Sequence, residues 1–299
     1  MPKPKVIVIL GPTATGKSAL AVKIAKKVGG EVISADSRQV YKGLDIGTGK
    51  ISKKEMKNIP HHLIDVTDPK KKFTVVDYQR KAIYAMAEII KRGKIPIICG
   101  GTGFYIDAIT KDTVFPKVPP NNKLRKSLIQ KDAVALFYEL QKLDPERAKN
   151  IKKKNEQNNK VRLIRAIEIA KAIGKVPKLQ YDTNSAMSES VSLFRFVKIG
   201  LFLPKEKLKQ KIEKRVEKMF KDGLLNEIKK LKKLGVSEKR LKELGFEYWN
   251  PTKEKVISET IKYTKRQMTW FKRDKQIKWF DASKKNIEKS VLIKLERDF

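Results

Sequence analysis

The chain holds one cysteine, Cys99, and two histidines, His61 and His62, among 299 residues. A lone cysteine excludes a disulfide framework and a cysteine-built zinc site. Two adjacent histidines point in different directions along most backbones, so a structural or loop role is expected of them rather than a shared metal. No apolar run approaches the roughly 20 residues that span a bilayer. The opening run at residues 6–10 is too short, and too soon followed by glycine, to be a signal sequence. These absences point to the cytoplasm and away from a membrane. Acid is scarce too: 33 Asp and Glu stand against 69 Lys and Arg, a net charge of +36. Such a surplus attracts polyanions, nucleic acid foremost, although lysines spread over nearly every segment also suit a solvated surface. No internal repeat is visible.

What is present is an alternation of strands and helices. Residues 5–10 form a β-branched apolar strand, 18–28 carry helical spacing at Leu20, Ile24 and Ala25, and 31–35 read as a second strand. A helix runs from Phe73-Thr74 through Arg92, Gly93 ends it, and residues 95–99 form a third strand entering Gly100-Gly101. Strands alternating with such helices imply an α/β fold with a parallel sheet, its buried strands continuous apolar runs. From Pro116 the texture changes. Pro116, Pro119 and Pro120 form a stiff hinge, helical lysine-rich sequence continues to about Ala186, and serine-rich residues 185–192 read as a return linker. A strand at 194–203, helices at 208–222, 224–234 and 255–273, and a last strand at 277–280 complete the pattern. The expected organisation is an α/β core from residues 1–115 and 195–299, interrupted by a helical insertion at 116–194.

The segment Gly11-Pro12-Thr13-Ala14-Thr15-Gly16-Lys17-Ser18 has the spacing G-x-x-x-x-G-K-[ST], with a strand before it and a helix after. Its glycines let the backbone curl so that N–H groups point inward as an anion nest. The helix that starts there aims its positive end at the same place. Lys17 adds a mobile charge, and the Ser18 hydroxyl can hold a Mg²⁺ that bridges phosphate oxygens. This is a phosphate site. Nucleotide hydrolases place an acid after a later strand to hold the metal, yet the strand at 95–99 ends in Gly100-Gly101-Thr102. That leaves open a small-molecule kinase, and an RNA-binding protein with a vestigial loop.

Asp36 follows the strand at 31–35 on the same carboxyl edge of the sheet, where open α/β sheets bind ligands. A carboxylate near a pyrophosphate can take a proton from an incoming nucleophile. A turn or helix-cap aspartate fits the local sequence equally well.

Several segments together resemble the tRNA dimethylallyltransferases, also called tRNA isopentenyltransferases. They are GPTATGKS at 11–18, SADSRQVYKGLDIGTGK at 34–50, PHHLIDVTDP at 60–69, GGTGFY at 100–105, RLIRAIEI at 162–169, KIEKRVEKMFKDGLLNEI at 211–228, ELGFEYW at 243–249 and KRQMTWFKRD at 265–274. They follow the family's order over nearly the whole chain. The resemblance implies a P-loop-like core and transfer of a dimethylallyl group from dimethylallyl diphosphate to N6 of the adenine 3′-adjacent to the anticodon. It implies Asp36 as base, Thr102 beside the reacting centre, and Gly11, Thr13, Ala14, Thr15, Gly16, Lys17, Ser18 and Arg215 around the diphosphate, with Mg²⁺ at Ser18. Contacts to the flipped adenine and the tRNA anticodon stem-loop fall, by the same resemblance, on Asp36, Ser37, Arg38, Gln39, Thr102, Arg125, Val161, Arg162, Leu163, Ile164 and Arg165. The flipping itself follows from chemistry, because a stacked base cannot reach a buried diphosphate. An adenylate prenyltransferase is a near alternative, against which the long basic insertion argues; a monomer is expected.

Two positions depart from the family pattern. Asn159 stands where an acid is common, and Val161 where a polar residue is, which puts some RNA contacts there in doubt. The zinc finger appended in eukaryotic members is absent. Cys99 is expected to be a small core residue, and Trp249, Trp270 and Trp279 to be packing residues.

Overall fold

The structure is a computed structural model that describes residues 3–111, 113–177 and 193–298. The chain divides into two compact units, Met1–Asp112 with Thr183–Phe299, and Thr113–Asp182.

The larger unit is built on six parallel strands. In chain order these are β1 (Lys5–Leu10), β2 (Gly30–Ala35), β3 (His61–His62), β4 (Ile95–Gly100), β5 (Arg195–Phe202) and β6 (Lys278–Asp281). Their order across the sheet is β3-β2-β4-β1-β5-β6. Ile7 lies opposite Ile97 on one side and Val197 on the other, so β1 is central. Strands β1, β2 and β4 are buried along almost their whole length, which is why β1 and β4 read as nearly continuous apolar runs. Alternate side chains serve opposite faces. Val6, Val8 and Leu10 join one apolar layer, in which Tyr78 and Met86 of helix α3 (Val75–Lys91) take part. Ile7 and Ile9 join the other, with Leu20 and Ile24 of helix α1 (Lys17–Val28).

The connections position the site. From β1 the chain crosses to β2 on one side of β4, whereas from β4 it continues to β5 on the far side of β1. The carboxyl ends of β1 and β4 therefore form a topological switch point, where such sheets bind ligands. Helix α4 (Gly103–Thr110) leaves β4 there.

The smaller unit has its own core. Helices α5 (Asn122–Leu128), α6 (Ala133–Leu143), α7 (Pro145–Lys153) and α8 (Lys160–Ile173) bury Leu128, Leu136, Leu140, Ile151, Leu163 and Ile167 together. Each begins on a side-chain cap: Asn121, Asp132, Asp144 and Asn159. Asn159 accepts from the Arg162 N–H at 3.2 Å, a contact typically worth about 1 kcal/mol. Its departure from the family pattern thus keeps a helix start.

The rest of the larger unit is α9 (Lys205–Lys221), α10 (Leu224–Lys233), α11 (Glu238–Leu244), α12 (Lys253–Phe271) and α13 (Ile287–Asp298), with a single turn, α2 (Lys53–Met56), near β3.

The sequence reading needs correction at several points. The helix at 208–222 starts at Lys205, just behind Pro204, because proline is well suited to a helix start. Helix α8 ends at Ile173, where Gly174 (φ 82) closes it; from 178 onward the rest of the helical sequence expected to about Ala186, and the linker expected at 185–192, lie outside the described residues. His61 and His62 form an edge strand. His62 Nε2 sits 2.7 Å from Glu31 Oε2, and Arg92 reaches the same carboxylate at 2.8 Å. Burial raises the Glu31 pKa, but the bonds from Arg92 and His62 outweigh that and hold it below the usual value. Among the described residues no cluster of His, Cys, Asp and Glu suits a metal ion, and no helix is long and apolar enough to cross a membrane.

Candidate functional site

The loop after β1 turns at Gly11, whose φ is 142° and where a Cβ would lie 2.3 Å from the Leu201 carbonyl oxygen. Ala14 and Gly16 are both left-handed, at φ 67° and 86°. Such left-handed turns bring successive N–H groups to one side. No side chain caps the start of α1 at Gly16, so its first N–H groups remain for an anion. Thr15 is buried, and its hydroxyl donates to the Pro12 carbonyl at 2.8 Å. It braces the loop from within. Lys17 Nζ donates to the same carbonyl at 2.6 Å. Burial lowers the Lys17 pKa from 10.5 to about 8, and the neighbouring Arg215 pushes the same way.

The loop after β2 brings Asp36, Ser37, Arg38 and Gln39 to this edge. Asp36 Oδ1 accepts from the Arg38 N–H at 2.9 Å and, more weakly, from the Gln39 N–H at 3.4 Å. Both bonds fall on Oδ1, so Asp36 closes its own turn without engaging Oδ2 in either bond. The capping role and the reactive role are compatible. Gln39 Nε2 donates to the Gly49 carbonyl at 3.5 Å.

Thr102, between β4 and α4, occupies the N-cap position of α4, yet its side chain does not cap that helix. Its hydroxyl oxygen instead accepts from the Ser37 N–H at 3.0 Å. The two loops touch closely: a Cβ on Gly100 would lie 2.1 Å from the Ala35 carbonyl oxygen.

Distant segments complete the walls. Arg215, on α9, donates to the Thr48 carbonyl at 2.9 Å. Burial lowers its pKa. The segment holding Thr48 is fixed by Glu227, which accepts from the N–H groups of Asp45, Ile46 and Gly47 at 2.9, 2.7 and 3.1 Å, and from the Tyr248 hydroxyl at 3.0 Å. Arg38 pairs with Glu247 and lies over the rings of Phe246 and Tyr263, at 5.1 and 5.7 Å. Burial opposes the Arg38 charge, but Glu247, Tyr263 and Asp36 outweigh it and raise the pKa. Glu247 is itself raised, chiefly by burial.

Lys17, Asp36, Arg38, Arg215, Glu247 and Tyr263 are among the residues lining a cavity of about 120 Å³ that also contacts Ser18, Thr13 and Met219. Lys17, Arg38 and Arg215 face Asp36 and Glu247 across it. Since Arg38 and Glu247 neutralise each other, Lys17 and Arg215 confront a single carboxylate. That balance suits a polyanion bound beside a base. Cys99 lines the floor and belongs to the core beneath; burial raises its thiol to about 11, so it is no nucleophile at neutral pH. Ser18 is exposed at the first turn of α1. One hydroxyl beside a phosphate site is the donor set expected of Mg²⁺, which keeps most of its ligands as water and phosphate oxygen.

Sequence reasoning singled out the phosphate loop, Asp36, Thr102 and Arg215; the loop, Asp36 and Arg215 line this cavity, and Thr102 adjoins it through its bond to the Ser37 N–H. It missed Glu247, Phe246, Tyr263 and Gln267. The segments around Glu247 and Gln267 were visible, but nothing local said that Glu247 lines the cavity or that Gln267 bonds to two of the loops around it. Trp270 donates to Asp107 Oδ2 at 3.0 Å and stands edge-on to Phe104, while Trp279 packs against the core.

In the smaller unit the expected RNA contacts separate into two groups. Leu163 and Ile164 are buried, so their side chains have no surface to offer RNA. Arg125 donates to Glu168 through Nε and Nη2 at 2.9 and 2.7 Å, and Arg165 pairs with the same carboxylate. Burial would raise the Glu168 pKa, but the bonds from Arg125, the Asn121 N–H and Arg165 lower it to about 2. Val161 is 79% exposed. Arg162 is exposed as well and pairs with Glu156.

Comparison with known proteins gives one consistent result. The family model described as IPP transferase matches residues 39–274. A tRNA dimethylallyltransferase of Carboxydothermus hydrogenoformans is 39% identical over 305 residues, covering 95% of this chain and 94% of the relative. One from Caldanaerobacter subterraneus subsp. tengcongensis is 40% identical over 293 residues, covering 92% and 91%. Among solved structures, a tRNA isopentenylpyrophosphate transferase from Bacillus halodurans superposes with a TM-score of 0.69 at 34% identity, covering 99% of this chain and 98% of that one. A eukaryotic dimethylallyltransferase described as acting on tRNA gives 0.74 at 28% identity, covering 97% and 77%.

Proposed function

The chain belongs to the IPP transferase family, and from that premise we propose that it transfers a dimethylallyl group from dimethylallyl diphosphate to N6 of the adenine 3′-adjacent to the anticodon in tRNA. The carrying observation is the single cavity that joins a phosphate loop to a carboxylate on the next strand's loop. In the proposed step the adenine N6 forms a bond to C1 of the dimethylallyl group as the C1–O bond breaks. Diphosphate leaves with the bonding pair, and the proton on N6 passes to Asp36 Oδ2.

The roles follow from position. The N–H groups of residues 14–18, with Lys17 and Arg215, take up the charge that grows on the leaving oxygen. Thr102, tied to Ser37, sits beside the base and orients the acceptor. Arg38 and Gln39 flank the entry for the flipped adenine. The Ser18 hydroxyl would hold a Mg²⁺, which would supply further charge neutralisation on the diphosphate. Val161 and Arg162 are the exposed members of the proposed tRNA-contacting stretch, and the basic surface supplies salt-dependent attraction to the RNA backbone.

The absence of an acid after β4 counts against a nucleotide hydrolase, and the separate basic helical unit counts against a free-nucleotide acceptor. The test is incubation with radiolabelled dimethylallyl diphosphate, Mg²⁺ and unmodified tRNA, followed by nuclease digestion. Label on one anticodon-loop adenine is expected. Label on free AMP and none on tRNA overturns the reading in favour of a nucleotide acceptor.

A further inference from the structure

Gln267 sits on α12, is 5% exposed, and bonds at both ends of its amide. Its Oε1 accepts from the Thr13 N–H at 2.9 Å. Its Nε2 donates to the Gly101 carbonyl at 2.8 Å. These partners belong to the loops that follow β1 and β4, the two strands that flank the switch point.

The Thr13 N–H is one end of the peptide group whose other end is the Pro12 carbonyl. That carbonyl is the acceptor for both Lys17 Nζ and the Thr15 hydroxyl. By holding the N–H, Gln267 fixes the plane of this peptide, and with it the place to which Lys17 is drawn. By holding the Gly101 carbonyl, it sets the spacing from that peptide to Thr102. Only a side chain carrying a donor and an acceptor on one terminus can do both. Glutamate lacks the donor when ionised, methionine lacks both, and asparagine is a methylene shorter.

Gly101 supports the assignment from the other side. Its φ is not among the positive ones, so the backbone does not demand glycine there. A Cβ at 101 would instead lie 2.4 Å from Gln267 Nε2. The glycine makes room for the amide.

We infer that Gln267 is a positioning residue that sets the distance between the diphosphate loop and the acceptor side of the cavity. The inference rests on the reaction proposed above, deepening it by naming what holds the two halves of the site in register.

The test compares Gln267→Met and Gln267→Glu with the unaltered chain. Inorganic pyrophosphate binding is measured by calorimetry, kcat and both KM values by prenyl transfer, and folding by circular dichroism. Loss of a buried polar tie of this kind is expected to weaken pyrophosphate binding by about ten- to a hundredfold in the Met variant, with the KM for tRNA unchanged. The Glu variant should bind poorly at pH 8 and recover toward the unaltered chain near about pH 5.5, where a buried carboxyl regains its proton and its donor. A folded Met variant with full pyrophosphate affinity overturns the inference, as does a Glu variant whose deficit ignores pH. If the unaltered chain binds pyrophosphate but transfers no label, the reaction assigned above is wrong, and the binding arm still decides the role of Gln267.

Discussion

Arg38 and Glu247 meet as an ion pair 209 residues apart in sequence, enclosed by Phe246, Tyr263 and Gly245. Gly245 has a φ of 147°, and a Cβ there would lie 2.6 Å from the Arg38 guanidinium carbon. The backbone itself forms part of the enclosure. Removing one partner strands a charge in a poorly solvated place. Fully buried pairs lose about 3–5 kcal/mol when broken this way; the Arg38 side chain is 25% exposed, so roughly 2 kcal/mol is expected for Glu247→Gln. The double variant Arg38→Met, Glu247→Met should regain most of it. Urea unfolding of the unaltered chain and the two variants checks this, and a double variant weaker than Glu247→Gln would refute it.

Lys17 carries a pH dependence whose sign is fixed by its lowered pKa. Its folded value of about 8 lies below the ordinary 10.5, so between those values the unfolded chain binds more protons and Lys17 contributes a rise in stability with pH. Pyrophosphate binding runs the opposite way. It needs the ammonium, so affinity should fall as pH rises through about 8, with proton uptake on binding near that pH. Calorimetry at pH 8 in buffers of different ionisation enthalpy measures the uptake. Lys17→Met should raise Tm at pH 7 while cutting pyrophosphate affinity at least about tenfold.

Asp36→Asn keeps a side-chain oxygen for the Arg38 and Gln39 N–H groups and removes the base. Prenyl transfer should fall by about a hundredfold or more, while pyrophosphate affinity and Tm stay near those of the unaltered chain. An Asn variant that transfers at full rate would leave Asp36 a turn residue and nothing more.

Glu168 makes the smaller unit sensitive to acid. Its folded pKa of about 2 lies below the ordinary 4.5, so its contribution is present above pH 4.5 and is lost as pH falls toward 2. Glu168→Gln should flatten the melting-temperature curve over that window and destabilise the chain at pH 7, where Arg125 and Arg165 lose their shared carboxylate. A curve that keeps its slope would place the acid sensitivity elsewhere.

The central strands were legible because β1 and β4 are covered on both faces and so are apolar almost throughout, while β2 and β5 are apolar apart from a few polar or charged residues such as Glu31, Ser34 and Lys198. The phosphate loop was legible because its signature is local: glycine conformation, helix start and lysine fall within eight positions. His61–His62 escaped notice because two residues cannot display a period. Leu163 and Ile164 were grouped with arginines by motif, whereas their helical phase turns them inward. Glu247 and Gln267 are the instructive cases. Each acts on a loop more than 150 residues away, and no window of sequence contains both ends of such a bond.

The central strand has a consequence for how the chain comes into being. Lys5 through Leu10 pair with Arg195 through Gly200, so one edge of β1 has no partner until some two thirds of the polypeptide has left the ribosome. Until then the nascent chain presents a flat, apolar, unpaired strand edge of the kind that templates aggregation. The helices of the smaller unit, with a core of their own, emerge in that interval and can fold first. Late closure of β5 onto β1 is therefore the step at which assembly of this enzyme meets competition from chaperones and from other unfinished chains.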